Sequence, residues 1–270
     1  MSIKIGFVGV GNMGGAIVKK LSEAGGDTYD LYAYDINKKL TDDLCCRYSV
    51  KITESIPELV QTCQVVIAAV KPMYMEGVLR ECAKSLDATT VFITVAAGLP
   101  VRFYKKILGN NKKIVRTMPN TPALVAEGMT VVSFDNLVND EEKEMVKDIF
   151  SFVGMVEVMD ESLMNEVIAL TGSSPAYVYM LIEAMADAAV QSGINRNLSY
   201  RLAAQAVLGS ARMVLETGKH PGDLKDMVCS PKGTTIEAVA ALERKGFRDA
   251  VITAMNECTR RAREIGRETV

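Results

Sequence analysis

The sequence predicts an α/β half followed by an all-helical half. Three observations carry that reading. Up to about residue 160, short apolar runs alternate with amphipathic segments, the pattern of strands and helices taking turns. One of those junctions is a glycine-rich turn between a strand and a helix. From Glu161 onward no convincing strand is visible, and long Ala-, Leu- and Met-rich helical segments take over.

The junction comes first. Ile5-Gly6-Phe7-Val8 reads as a strand, Gly9-Val10-Gly11-Asn12-Met13-Gly14 as a turn, and the chain then continues as a helix through Leu21. The spacing is G-x-G-x-x-G, and each glycine has a job. Gly9 permits the tight turn, and Gly11 lets a pyrophosphate approach the backbone. Gly14 lets the helix lie close to the strand. Exposed N–H groups at the helix start then face the phosphates. Asn12 and Met13 complete the turn and the floor beneath the ligand. The next apolar run ends at Asp35, about 20 residues past Gly14, where a carboxylate can hydrogen-bond a ribose hydroxyl. Asn37 stands beside it. A Rossmann-type dinucleotide-binding domain is therefore expected.

The remaining elements of this half follow in order. Strands are expected at Ile3–Val8, Asp30–Tyr34, Val65–Val70 and Val91–Val95, then at Ile114–Thr117 and Met129–Ser133. Helices are expected at Gly14–Ala24, Lys38–Tyr48, Ile56–Thr62 and Met75–Leu86. Such alternation implies a largely parallel sheet with helices on both faces, and a ligand at the carboxyl ends of the strands. Ala69-Val70-Lys71-Pro72 and Ala97 should meet the glycine turn there. Asp140–Phe150 reads as a helix capped by Asp140, and Val153–Met159 as a last strand. Beyond it, Met164–Leu170, Pro175–Ser192, Ser199–Thr217, Pro221–Val228, Thr235–Lys245 and Phe247–Arg267 read as helices. The domains are expected to be 1–160 and 161–270. Several late helices are apolar on more than one side, which calls for neighbours on each and suggests a homodimer through the helical domain.

Composition narrows the function. The chain has 270 residues, 49% hydrophobic and 24% charged, with a net charge of −2. No basic footprint for nucleic acid is present. The uncharged stretch Val167–Ile182 is broken by Gly172 and Pro175, so no membrane span is expected. The chain starts on a strand without a secretory leader, and its six cysteines contain no C-x-x-C pair. A cytoplasmic protein with free thiols is the expectation. A single histidine, His220, beside Pro221-Gly222, rules out a His-based triad and a multi-His metal site, and no metal is expected.

Specific blocks add a resemblance. They are Phe7–Gly14, Ala69-Val70-Lys71-Pro72, Arg116-Thr117-Met118-Pro119-Asn120-Thr121-Pro122, Leu170–Tyr177 (LTGSSPAY) and Leu224–Thr235, which ends Ser230-Pro231-Lys232-Gly233-Thr234-Thr235. Along almost its whole length the chain resembles the pyrroline-5-carboxylate reductases. The resemblance implies reduction of the C=N bond of 1-pyrroline-5-carboxylate to L-proline by NADPH or NADH. It also implies a Rossmann domain, an all-α dimerisation domain, and dimers that often assemble further. It assigns Ala69 to Lys71 to cofactor contact. It assigns Ser230, Gly233, Thr234 and Thr235 to the substrate, with Thr235 the hydroxyl near the imine nitrogen, and Glu161 to an acidic position near the substrate.

The residues suit that chemistry. A cyclic imine is already electrophilic, so holding it against the cofactor supplies much of the rate, and no strong base is needed. The Ser230–Thr235 loop offers hydroxyls and N–H groups where a helix begins, which suits a carboxylate. For Ser230 and Thr234 the alternative is simple helix capping; for Glu161 it is a solvated charge; for Asn120, read as the functional polar group of the Met118–Pro122 loop between the domains, it is a rigid turn. Two departures from the family stand out. Lys232 occupies a position that is usually glycine, costly if φ is positive there; the alternative is that its charge helps attract the anionic substrate. Asp35 replaces small hydroxyl residues found in many members, so NADH is expected to be accepted, with Lys38 and Lys39 close enough to offset repulsion of a 2′-phosphate. Two rival readings are weaker. Oxidation of a hydroxy acid by the related two-domain dehydrogenases needs a catalytic lysine, and Glu161–Ile194 contains none. A dinucleotide sensor would not need the Ser230–Thr235 loop.

Overall fold

The computed structural model describes residues 2–268, with side chains to Gly266. It divides into two compact units: the chain up to Ser173 with the segment from Cys258 on, and Ser174–Glu257.

The first unit is built on eight strands: β1 (Ile3–Val8), β2 (Tyr29–Tyr34), β3 (Val50–Ile52), β4 (Val65–Ala68), β5 (Val91–Thr94), β6 (Lys113–Met118), β7 (Gly128–Phe134) and β8 (Gly154–Val158). Their order is β3-β2-β1-β4-β5-β6-β7-β8. All neighbours are parallel except β6 and β7. Strand position dictates composition. β4 (VVIA) and β5 (VFIT) are buried at every residue, as a central strand covered on both faces must be. β8 at the edge has no fully buried residue.

Side-chain alternation separates two cores. Ile5, Phe7, Ile67 and Ile93 face one side, joined by Ile17 and Leu21 of α1 (Asn12–Ala24) and Phe150 of α6 (Asp140–Ser151). Val66, Phe92 and Val8 face the other. There they meet Leu59 of α3 (Ile56–Thr62), Leu79 of α4 (Pro72–Cys82) and Tyr104 of α5 (Val101–Leu108). α2 (Lys38–Arg47) lies on the first face through Leu44. The expected α/β sheet with helices on both faces is present.

Three local differences have physical reasons. β3 is too short to show a period, and α5 (VRFYKKIL) mixes aromatic and β-branched residues, so neither was among the expected elements. The cap of α6 is Asn139, one residue before the expected Asp140. Its side chain accepts from Glu142 N, while the Glu142 carboxylate accepts from Asn139 N, a reciprocal capping box. Met164–Leu170 is not an α-helix. A tight turn at Glu161–Leu163 is followed by a wide π-type turn at Ile168–Gly172, closed by Ser173 N donating to Ile168 O at 2.8 Å. Gly172 and Ser173 sustain a helix poorly, and Pro175 opens a new one.

The second unit contains only helices among the described residues: α7 (Ser174–Gln191), α8 (Arg196–Thr217), α9 (Pro221–Val228), α10 (Thr234–Arg244) and the start of α11 (Phe247–Glu268). The sheet ends near the expected residue 160, whereas the compact units part at Ser173, and the end of α11 groups with the sheet. Asn195 caps α8, accepting from Asn197 N at 3.0 Å. His220 caps α9 through Nδ1, which accepts from Gly222 N at 3.0 Å. Within this unit burial is slight: only Ala186, Ser199 and Ala203 are buried.

Candidate active site

The glycine turn joins β1 to α1. Gly9 has a φ of 91°, and a Cβ there would lie 2.8 Å from Ala69 O. A Cβ on Gly14 would lie 2.2 Å from Gly9 O and 3.0 Å from the Ala69 methyl. Both positions therefore require glycine, the first for conformation and the second for close packing. Gly11 differs: a Cβ there would meet nothing within 4 Å. Open space fronts the helix start, where α1 has no side-chain cap and no acidic residue in its first turn. Those free N–H groups and the helix dipole suit an anion.

The neighbouring strand ends close around this turn. Gly9 N donates to Tyr34 O at 2.8 Å, and Ala69 N donates to Val8 O at 2.8 Å. Asp35 is half-buried at the end of β2. Its Oδ2 accepts from Val10 N at 2.8 Å and its Oδ1 from Asn37 N at 2.9 Å. The carboxylate thus fastens the glycine turn to the second strand as well as facing the site. Asn37 is exposed and caps α2, its Oδ1 accepting from Lys39 N at 3.2 Å. Lys38 is engaged with Glu54 at 3.1 Å. A cavity of ≈ 320 Å³ includes Gly9, Tyr34, Asp35, Ile36, Val70 and Tyr74. A second, of ≈ 330 Å³, includes Pro72, Ala97, Gly98, Ser173 and Cys258. Val70 and Pro72 sit one residue apart on either side of Lys71, so the loop after β4 serves both cavities. Lys71 itself is exposed. The segment bearing Ala97 is held from beneath. Tyr104 OH lies 2.8 Å from Thr94 Oγ1, which accepts from Ala96 N at 3.2 Å. Burial pushes the Tyr104 phenol well above its usual range, so it stays a neutral hydrogen-bonding group.

The Ser230–Thr235 loop lies in the helical unit. Gly233 N donates to Ser230 O at 3.0 Å, which closes a turn with Pro231 and Lys232 at its centre. Proline followed by positive φ is the pattern of a type II turn. Lys232 has a φ of 60°. The expected cost is real there: a side chain in the left-handed region costs about 1–2 kcal/mol relative to glycine. A Cβ on Gly233 would lie 2.3 Å from Ser230 Oγ, so that position admits no side chain without a shift. No side-chain oxygen caps α10. Ser230 and Thr234 are exposed and Thr235 is half-buried, and simple capping does not account for their hydroxyls.

Residues 161–265 match the family model described as pyrroline-5-carboxylate reductase dimerisation, and residues 4–98 the model described as NADP oxidoreductase, coenzyme F420-dependent. The chain is 47% identical over 268 residues to the Escherichia coli pyrroline-5-carboxylate reductase, covering 99% of this chain and 100% of the relative. The Methanosarcina acetivorans enzyme of the same name is 38% identical, over 98% of both chains. The chain belongs to the pyrroline-5-carboxylate reductase family. Among solved structures, the Plasmodium falciparum pyrroline carboxylate reductase with NADP bound superposes with a TM-score of 0.88 at 32% identity, covering 98% of both chains. The Coxiella burnetii enzyme gives 0.90, also at 32% identity, over 98% of this chain and 99% of that one.

Within this reductase-family chain the predicted residues fall into groups. Gly9, Gly11, Asn12, Met13, Gly14, Asp35, Asn37, Ala69, Val70, Lys71, Pro72 and Ala97 all lie at the carboxyl edge of β1, β2, β4 and β5. Ser230, Gly233, Thr234 and Thr235 form one turn and helix start in the other unit. Glu161 belongs to the sheet unit. Its Oε1 accepts from Val101 N at 2.6 Å and from Arg116 at 3.1 Å. Arg116 is 3% exposed and also donates to Asn165 at 3.2 Å. Glu161 is thus the counter-charge of a buried arginine, a role the sequence reading missed. The one available cue was a charged residue inside the apolar strand IVRTM. Asn120 is likewise spent on backbone, donating to Thr171 O at 3.0 Å and accepting from Met129 N at 2.9 Å. Its loop connects β6 to β7 within the sheet rather than linking the domains.

Proposed function

We infer that this protein is a pyrroline-5-carboxylate reductase, reducing 1-pyrroline-5-carboxylate to L-proline with NAD(P)H in the last step of proline biosynthesis. The observation that carries the reading is full-length identity of 47% to an enzyme of that name. The cofactor fits the chain's own geometry: open space at Gly11, uncapped N–H groups at α1, and cavities at both ends of the loop after β4. The cofactor, when bound, supplies the hydride. The first turn of α1 would hold the pyrophosphate, and Asp35 and Asn37 would meet the adenosine ribose. Ala69 to Pro72 and Ala97 border the nicotinamide half. Ser230, Gly233, Thr234 and Thr235 receive the substrate carboxylate and ring. The Thr235 hydroxyl would hydrogen-bond the protonated imine nitrogen. Glu161 acts through Arg116 and the start of α5, both of which it holds.

The helical unit supports homo-oligomerisation, because most of its large apolar side chains stand exposed on a single chain. A homodimer through that unit, assembling further into a higher oligomer in the cytoplasm, is the finer reading. The domains are assigned as 1–160 for the nucleotide and 161–270 for substrate and dimerisation. The test is loss of reduced-nicotinamide absorbance with purified protein and 1-pyrroline-5-carboxylate. Turnover with L-proline as product is expected, and absence of turnover with both cofactors overturns the reading. Asp35 predicts that NADH is used; an NADPH preference above roughly tenfold, about 1.4 kcal/mol, would sink that part.

A further inference from the structure

We propose that Lys232 is a steering charge that speeds capture of the anionic imine substrate. The inference rests on the reductase reading above and goes beyond it to a residue of this chain. Lys232 is the apex of the Ser230–Gly233 turn, immediately before Gly233 and the first helical residue, Thr234. Among the described residues only it and Ala126 combine a side chain with positive φ. Ala126 ends the turn of residues 121–125. Lys232 instead holds its side chain out from an exposed loop, where glycine would relieve the backbone. Among the described residues it has no hydrogen bond or ion pair, so packing and pairing do not explain the lysine.

Charge does. The start of α10 carries the uncapped N–H groups and the hydroxyls of Thr234 and Thr235, but Glu237 stands in the same first turn. That carboxylate opposes any anion approaching the loop. Lys232, on the other flank of the helix start, offsets it and restores a positive local potential. Because both groups are exposed, the effect is long-range and screened. It acts on encounter and capture of the substrate carboxylate rather than on hydride transfer.

The experiment compares wild type with K232N and K232R in steady-state turnover of 1-pyrroline-5-carboxylate at low and high ionic strength. Asparagine tolerates the left-handed region and removes the charge; arginine retains it. We expect K232N to lower kcat/KM about two- to fivefold at low salt, the scale of one partly screened charge. The loss should sit in the substrate KM, leave the NAD(P)H KM in place, and vanish at high salt. K232R should follow wild type. A K232N enzyme matching wild type at low salt overturns the proposal. So does a salt-independent deficit, or an arginine variant that behaves like asparagine. If wild type itself turns over no 1-pyrroline-5-carboxylate, the reductase reading fails instead, and the two failures are distinct.

Discussion

Phe92, Ile67 and Leu79 of the sheet unit are fully buried, whereas Met180, Leu215 and Met227 of the helical unit stand 69%, 65% and 65% exposed. The two units hide apolar surface by different means. The sheet unit has helices on both faces of its strands and closes two cores within one chain. The helical unit, with three buried residues, leaves most of its large apolar side chains exposed. The first carries the match to the NADP oxidoreductase model, and the second most of the match to the dimerisation model.

The largest test strikes that asymmetry directly. Met180→Asp combined with Leu215→Asp should raise the self-association constant Kd at least a thousandfold, about 4 kcal/mol, by sedimentation equilibrium. Val125→Asp, at a position 69% exposed on the sheet unit, should leave it unchanged. If the double variant stays assembled, the exposed face has another purpose. Next in size, Phe92→Ala should cost the protein about 3–5 kcal/mol in denaturant unfolding, since Phe92 sits where β5 packs on α4 and α5. A third change works at the cofactor turn. Gly14→Ala puts a methyl 2.2 Å from Gly9 O, and the NAD(P)H dissociation constant should rise at least tenfold, about 1.4 kcal/mol.

Titration offers a finer contrast. Burial pushes the thiols of Cys63 and Cys82 up to about 12, from an ordinary value of 9.0. Between those values the native state keeps a proton that the unfolded state releases, so stability falls as pH rises from about 9 towards 12. In native protein at pH 8, alkylation should mark the exposed Cys45 and Cys46 and spare Cys63 and Cys82. Labelling of the buried pair at the same rate would contradict the closed core. The smallest effect is at Lys232. Lys232→Gly should raise stability by about 1 kcal/mol, read from thermal unfolding, while losing the charge.

How much of this was legible follows from where the information lies. The glycine turn could be read because each glycine answers a local constraint: a positive φ at Gly9, a neighbour 2.2 Å from any Cβ at Gly14, open space at Gly11. The conditional cost at Lys232 was legible for the same reason. The strands β4 and β5 declared themselves as unbroken apolar runs. The Glu161–Arg116 pair did not, because its members are separated by 45 residues and only the fold brings them together. Residues 164–170 read as a helix because apolar spacing there is helical, while Gly172 and Ser173 broke the backbone hydrogen-bond pattern. Asp35 was legible as a carboxylate at a strand end, but its grip on Val10 N was not.

One contact bears on how the chain is made. Ser173 and Cys258, the last residue before the helical unit and the first after it, meet through a hydrogen bond at 3.2 Å. The helical unit is therefore an insertion whose two ends leave and re-enter the sheet unit at one point, the arrangement that tolerates inserted domains. A ribosome must emit the whole of Ser174–Glu257 before the segment that completes the first unit appears. The sheet can collapse early. The face that includes Gly98, Ala262 and Ile265 is finished last, so a nascent chain cannot present a complete second cavity until its final helix has been synthesised.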